Sequence, residues 1–212
     1  FLVTAGASHS LQDDDGMSPL DRAVLGAHAD AAAALASAGA TSTLRRHGNG
    51  LLHELAAAGG AKQIKLLLAG GRLAPSEAND SGYSALHLAT LHGHTHVAQL
   101  LLEAGADANT MPAGGGPAPI HLAAKQASEP LLALLLQHNA SITAPMAPSA
   151  ETPLHLCSQQ PSCCSLLLQA GAPLEERDAA GCTPLQHAVC GLAPLLACRA
   201  LLQAGAQANT AD

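Results

Sequence analysis

The residues of this 212-residue chain best suited to chemistry are its twelve histidines and six cysteines, which could serve as metal ligands, general bases or nucleophiles. The densest group is His92-Gly93-His94-Thr95-His96, three imidazoles at i, i+2 and i+4. On a helix His92 and His96 would share a face, but Gly93 breaks that helix, and no Asp, Glu or Cys at ligand spacing completes the set. The cysteines stand at 157, 163, 164, 182, 190 and 198, with no Cys-x-x-Cys pair to build a zinc or redox centre. The chain has no G-x-S-x-G, no Walker loop and no H-E-x-x-H. Gly114-Gly115-Gly116 lacks the following Lys and preceding strand of a phosphate loop and reads as a flexible turn. The chain is therefore expected to be no enzyme, to need no cofactor and to hold no metal.

Four of the histidines, His53, His87, His121 and His155, recur every 34 residues, a period that belongs to architecture rather than to a reaction centre. Each is the fourth residue of a segment that occurs six times: Ser18-Pro19-Leu20-Asp21, Gly50-Leu51-Leu52-His53, Ser84-Ala85-Leu86-His87, Ala118-Pro119-Ile120-His121, Thr152-Pro153-Leu154-His155 and Thr183-Pro184-Leu185-Gln186. The starts differ by 32, 34, 34, 34 and 31 residues. A Leu-rich turn follows each and ends in Gly39, Gly71, Gly105, Asn139, Gly171 or Gly205, so a second landmark keeps the same period. Ser or Thr opens a first helix as its N-cap, Pro sits at N1 where no N–H is needed, and the final Gly or Asn takes the left-handed position that closes a second helix. A fourth-position imidazole can then bond backbone across the turn. Composition agrees: 47 Ala and 37 Leu stand beside one Phe, one Tyr and no Trp, a palette that fills thin layers between close helices better than a thick core. Val and Ile are too scarce for a sheet protein, so the fold class is all-α.

Thr152-Pro153-Leu154-His155-Leu156-Cys157 and Leu100-Leu101-Leu102-Glu103-Ala104-Gly105-Ala106-Asp107-Ala108-Asn109 resemble the ankyrin repeat, and the resemblance covers nearly the whole chain. It implies a solenoid of stacked helix-turn-helix pairs with short finger hairpins, in one domain spanning 1–212. A partial repeat is expected over 1–12 and full repeats over 13–44, 45–78, 79–112, 113–146, 147–177 and 178–211, giving twelve helices in six antiparallel pairs after half a pair. The array reads as cut at both ends, a piece of a longer protein. The fifth repeat has two residues fewer between Thr152 and Gly171 than the third has between Ser84 and Gly105, with Pro161 in the gap, so its first helix or turn must be clipped. Cys157 replaces a motif Ala, and Cys163 and Cys164 align with Val97 and Ala98, so all three read as small core residues. Cys182 and Cys190 are expected on a partner-facing side.

With a formal charge of −7 and only 12% charged residues, the chain has no basic stripe for nucleic acid, and no apolar run is long enough for membrane insertion. Clustered cysteines without a disulfide framework suit a reducing cytoplasmic or nuclear setting. The resemblance implies protein or peptide binding on a concave surface made by finger tips and the outer sides of first helices. Aligned onto this chain, that surface comprises Arg46, His47, Asn49, Asp80, Ser81, Tyr83, Leu91, His92, Pro117, Lys125, Gln126 and Glu151. Met17 and Leu25 extend it at one end, and Gln159, Cys182 and Cys190 at the other. Asp13-Asp14-Asp15 forms an acidic tip that could receive a basic peptide. The expected role is a scaffold, adaptor or regulatory part of a longer protein. Alternatives are a regulator like the inhibitors of NF-κB, a substrate adaptor of a ubiquitin ligase or, in another class, a metal- or redox-responsive domain using His92 to His96 and the C-terminal cysteines.

Overall fold

The computed structural model describes residues 8, 10–26, 28–40, 42, 49–69, 74–158, 160–190 and 194–208. Among them are twelve α-helices: α1 (Pro19–Leu25), α2 (Ala29–Ser37), α3 (Leu51–Ala58), α4 (Ala61–Ala69), α5 (Ala85–Leu91), α6 (Thr95–Glu103), α7 (Pro119–Lys125), α8 (Glu129–Gln137), α9 (Pro153–Leu156), α10 (Pro161–Gln169), α11 (Pro184–Cys190) and α12 (Pro194–Gln203). The half pair expected at the start falls largely on residues 1–7 and 9, outside the described residues. Regular strands are absent among the described residues. Of the expected finger hairpins the described residues show isolated bridges, among them Ala78 with Ser84 and Met146 with Glu151.

The chain divides into two compact units, Phe1–Asp107 and Ala108–Asp212. In the first, α1 packs on α2, α3 on α4 and α5 on α6, while α3 lies against α5 and α4 touches both α2 and α6. In the second, α7 pairs with α8, α9 with α10 and α11 with α12. There α7, α9 and α11 stack as one row and α8, α10 and α12 as another. Each pair thus buries its apolar face on its neighbours, the logic of a repeat that cannot close a core alone.

One stripe carries the stacking. The third motif residue, Leu20, Leu52, Leu86, Ile120, Leu154 or Leu185, is buried every time, and Ala89, Ala123 and Ala188 keep the first helices close. Each such Leu contributes about 1.5–3 kcal/mol by leaving water. Cys157, Cys163 and Cys164 are fully buried, as their alignment with small apolar residues implies. The shortened fifth repeat loses its residues from the first helix: α9 has four residues where α5, α7 and α11 have seven. Pro161 then opens α10 at its first turn. Asn139 closes α8 at φ 59°, in the place where Gly39, Gly105, Gly171 and Gly205 close α2, α6, α10 and α12. A separate apolar patch, formed by Val189, Leu195, Leu196 and Leu202 of α11 and α12, is exposed on the last pair.

The fourth motif residue ties each first helix to its surroundings. The N-cap residue's backbone N–H donates to Nδ1 of His53 (3.3 Å), His87 (3.0 Å), His121 (3.2 Å) and His155 (3.2 Å). The opposite ring nitrogen faces the carbonyl of the next finger: His53 to Tyr83 at 3.0 Å, His121 to Ala144 at 2.7 Å and His155 to Cys182 at 3.0 Å. A backbone N–H can only donate and a carbonyl only accept, so these partners fix a neutral ring protonated at Nε2. The two repeats that depart in residue type keep the role. Asp21 takes the Ser18 N–H at 2.9 Å and the Ser42 hydroxyl at 2.6 Å, and Gln186 takes the Thr183 N–H at 2.7 Å.

Candidate functional site

Finger tips with Asp or Asn followed three residues later by Gly fold identically. Asn79 Oδ1 accepts the backbone N–H groups of Ser81 (3.0 Å) and Tyr83 (2.9 Å), and the Gly82 N–H returns to the Asn79 carbonyl at 2.8 Å. Gly82 meets that turn at φ 81°, where a side chain would be strained. Asp13 holds Asp15 and Met17 in the same way, and Asp178 holds Ala180 and Cys182. Such tips are Asx turns, rigid because their backbone donors are already used.

Tyr83 ends the finger that precedes α5 in the first unit. Its N–H is held by Asn79, its carbonyl by His53, and its ring stands edge-on to His87 with centroids 5.3 Å apart. The residue is half-buried, with Asp80 and Ser81 exposed at the tip beside it. Leu91, 47% exposed, and the exposed His92 end the first helix on which the finger rests. Asn49 belongs to the link between fingers: its Oδ1 accepts from Asn79 Nδ2 at 2.7 Å, and its Nδ2 donates to Glu54 at 3.0 Å. In the second unit Lys125 and Gln126 are exposed at the end of α7, while Pro117 and Glu151 are half-buried in their fingers. Arg46, His47 and Gln159 lie outside the described residues.

Two features differ from the sequence reading. Met17 aligns with Tyr83 yet is only 5% exposed, because a flexible apolar thioether turns into the core where a phenol keeps its polar end wet. The acidic tip is partly neutralised, since Arg22 bonds Asp13 at 2.6 Å and Asp15 at 2.5 Å while Asp14 stays exposed. The Arg22 guanidinium, helped by the Met17 N–H, holds the Asp13 carboxyl below the usual carboxylate value. The His92 to His96 run does not converge, in keeping with the break at Gly93: His94 Nε2 lies 3.0 Å from the Ala57 carbonyl in the preceding pair, and its ring stacks on His92 at 6.2 Å.

The one group of three potential metal ligands among the described residues is elsewhere, at Asp178, Cys182 and His187, whose donor atoms all lie within 4.8 Å of one another. The sequence reading placed Cys182 on a partner-facing side and did not join it to Asp178 and His187. The available signal was a finger that folds back on its own first helix, which brings residues four and nine positions apart together.

A family model described as ankyrin repeats (3 copies) matches residues 38–112 and 120–212. The chain belongs to the ankyrin-repeat family. Ankyrin repeats are generally protein–protein interaction modules and typically non-catalytic. A comparison with curated proteins finds no match. Among the described residues of this ankyrin-repeat chain no helix is long and apolar enough to cross a membrane.

Proposed function

We propose that this ankyrin-repeat chain is a non-catalytic recognition module, a scaffold, adaptor or regulatory part of a longer protein, that holds another protein or an extended peptide. The partner rests on finger tips and first-helix ends: Asp80, Ser81, Tyr83, Leu91 and His92 in the first unit, and Pro117, Lys125, Gln126 and Glu151 in the second. The observation that carries this reading is Tyr83. It is the single tyrosine of a chain with one Phe and no Trp, and its backbone is fixed on both sides by hydrogen bonds. An aromatic held this way offers area to a partner at little further entropy cost. The mixed, weakly charged surroundings and the net charge of −7 favour a polypeptide over nucleic acid. Six free thiols support a reducing cytoplasmic or nuclear setting.

The test is capture of binding proteins by the immobilised chain, followed by titration of one of them against variants. Tyr83→Ala should weaken binding by about 1–3 kcal/mol. Lys125→Ala and Leu91→Ala should weaken it less, with helicity unchanged. Binding unaffected by all three would remove the face from consideration.

A further inference from the structure

The last finger carries a set of side chains that partner binding does not explain. Asp178 begins the finger tip, Cys182 ends it, and His187 stands on α11, which the tip folds over. The tip turn uses one carboxylate oxygen, Asp178 Oδ1, on the N–H groups of Ala180 (2.9 Å) and Cys182 (2.8 Å). It thereby aims the other oxygen, Oδ2, at His187 Nε2, 2.7 Å away. In the first repeat the equivalent oxygen of Asp13 meets the Arg22 guanidinium, a permanent cation that completes the pairing. In the last repeat the matching position holds an imidazole, which can present a neutral nitrogen, and Cys182 adds a sulfur to the same spot.

We infer that Asp178, Cys182 and His187 form a zinc-binding site, with Glu151 orienting His187 from the preceding finger. One oxygen, one sulfur and one nitrogen are a donor set suited to a borderline-soft divalent ion. Zinc bonds of about 2.0–2.3 Å place neighbouring ligand atoms some 3–4 Å apart, and the three donors already stand within 4.8 Å of one another. Co-ligation would require the closest pair, Asp178 Oδ2 and His187 Nε2 at 2.7 Å, to open and the widest pair to close. Glu151 Oε1 lies 4.0 Å from His187 Nδ1, on the ring edge opposite Nε2. Glu151 is therefore not a ligand when Nε2 binds metal. A shift of about 1 Å would bring it to accept Nδ1–H, as carboxylates commonly do behind zinc-bound histidines. His155 braces the arrangement: its ring is edge-on to His187 at 5.2 Å and its Nε2 bonds the Cys182 carbonyl at 3.0 Å. The carboxylate is only 7% exposed and the imidazole 27%, so the site is sheltered but reachable. Three protein ligands leave a fourth position for water. Binding releases the Cys182 thiol proton to solvent and takes from His187 Nε2 the proton that faces Asp178 Oδ2, the ring then carrying its single proton on Nδ1, with the tip clipped to α11. This inference departs from the metal-free expectation drawn from the sequence, which tested the His92 to His96 run and the cysteine spacing, and it stands independently of the partner-binding reading.

Cobalt reports it directly, because a Cys thiolate bound to Co²⁺ gives a charge-transfer band in the near ultraviolet. The full 212-residue chain, reduced and stripped by chelator, is titrated with Co²⁺ and then Zn²⁺. The expected result is one equivalent bound, with the band displaced by zinc. Cys182→Ser and His187→Gln should abolish the band, and Cys190→Ser and His96→Gln should keep it. Asp178→Asn is the variant that separates ligand from fold, because Asn79 already builds the same turn in this chain. It should weaken binding with circular dichroism unchanged. Glu151→Gln should weaken it about 10–100-fold. No band, a band that survives Cys182→Ser, or affinity indifferent to both His187→Gln and Asp178→Asn would overturn the site.

Discussion

Replacing His121 by Ala and by Gln separates the two bonds that a motif histidine makes. His121 accepts the Ala118 N–H at 3.2 Å and donates to the Ala144 carbonyl at 2.7 Å. Ala118 is only 2% exposed, so in His121→Ala its N–H is left in the interior without an acceptor, which costs about 1–3 kcal/mol. The Ala144 carbonyl is half-exposed and can turn to water, so losing that bond costs only about 0.5–1.5 kcal/mol. Together the Ala variant should lose about 2–4 kcal/mol of stability. Gln186 shows that a glutamine oxygen at this motif position reaches the N-cap amide, at 2.7 Å. His121→Gln should therefore keep the buried amide satisfied and recover about 1–2 kcal/mol of the loss. Urea unfolding followed by far-ultraviolet circular dichroism reads both variants against the parent. An Ala variant within about 0.5 kcal/mol of the parent, or a Gln variant no better than Ala, would refute the assignment of the cost to the amide.

Acid should destabilise the chain through the same ring: burial, opposed by the hydrogen bonds to Ala144 and Ala118, pushes the His121 pKa down. The unfolded chain then binds the proton first, so stability is fully present above about pH 6.5 and falls as the pH drops from there toward the lowered folded value. His121→Gln should flatten that slope in urea midpoints taken across the range, and an equal slope in both proteins would count against it. Gly115→Ala should cost more than Gly114→Ala. Both have positive φ, 79° and 91°, but a Cβ on Gly115 would sit 2.8 Å from the Ala147 Cβ while Gly114 has open space. Backbone strain alone predicts about 1–2 kcal/mol at Gly114, and equal thermal shifts for the two would contradict the close approach. Leu154→Ala, at a fully buried stripe position, should cost about 2–5 kcal/mol by denaturant titration. A loss below about 1 kcal/mol would mean that the stripe does not carry the stacking.

The repeat was legible because its landmarks are local. An N-cap, a Pro at the first turn and a left-handed Gly or Asn act within a few residues of themselves, so the helix pairs and the clipped α9 follow from spacing. The fourth position was legible by role as well, since Asp21 and Gln186 keep a capping box that His shares in the other repeats. What alignment could not supply was side-chain direction. Met17 and Tyr83 occupy one register position and end at different depths, because neighbours and side-chain polarity decide burial there. The Asp178, Cys182 and His187 group was missed for a related reason. Its members belong to a tip and a helix that meet only after the Asx turn has formed, whereas a count of cysteine spacing sees each alone.

The most direct measurement of where a partner is held is photo-crosslinking with a captured protein, from a light-activated residue placed one at a time at Ser81, Gln126, Gln99 and Gln137. All four are exposed. Ser81 lies at a finger tip and Gln126 at a first-helix end, while Gln99 and Gln137 lie on the second helices α6 and α8. The account predicts crosslinks from Ser81 or Gln126, or from both, and none from Gln99 and Gln137. Crosslinks confined to Gln99 and Gln137 would place the partner on the second helices and contradict it.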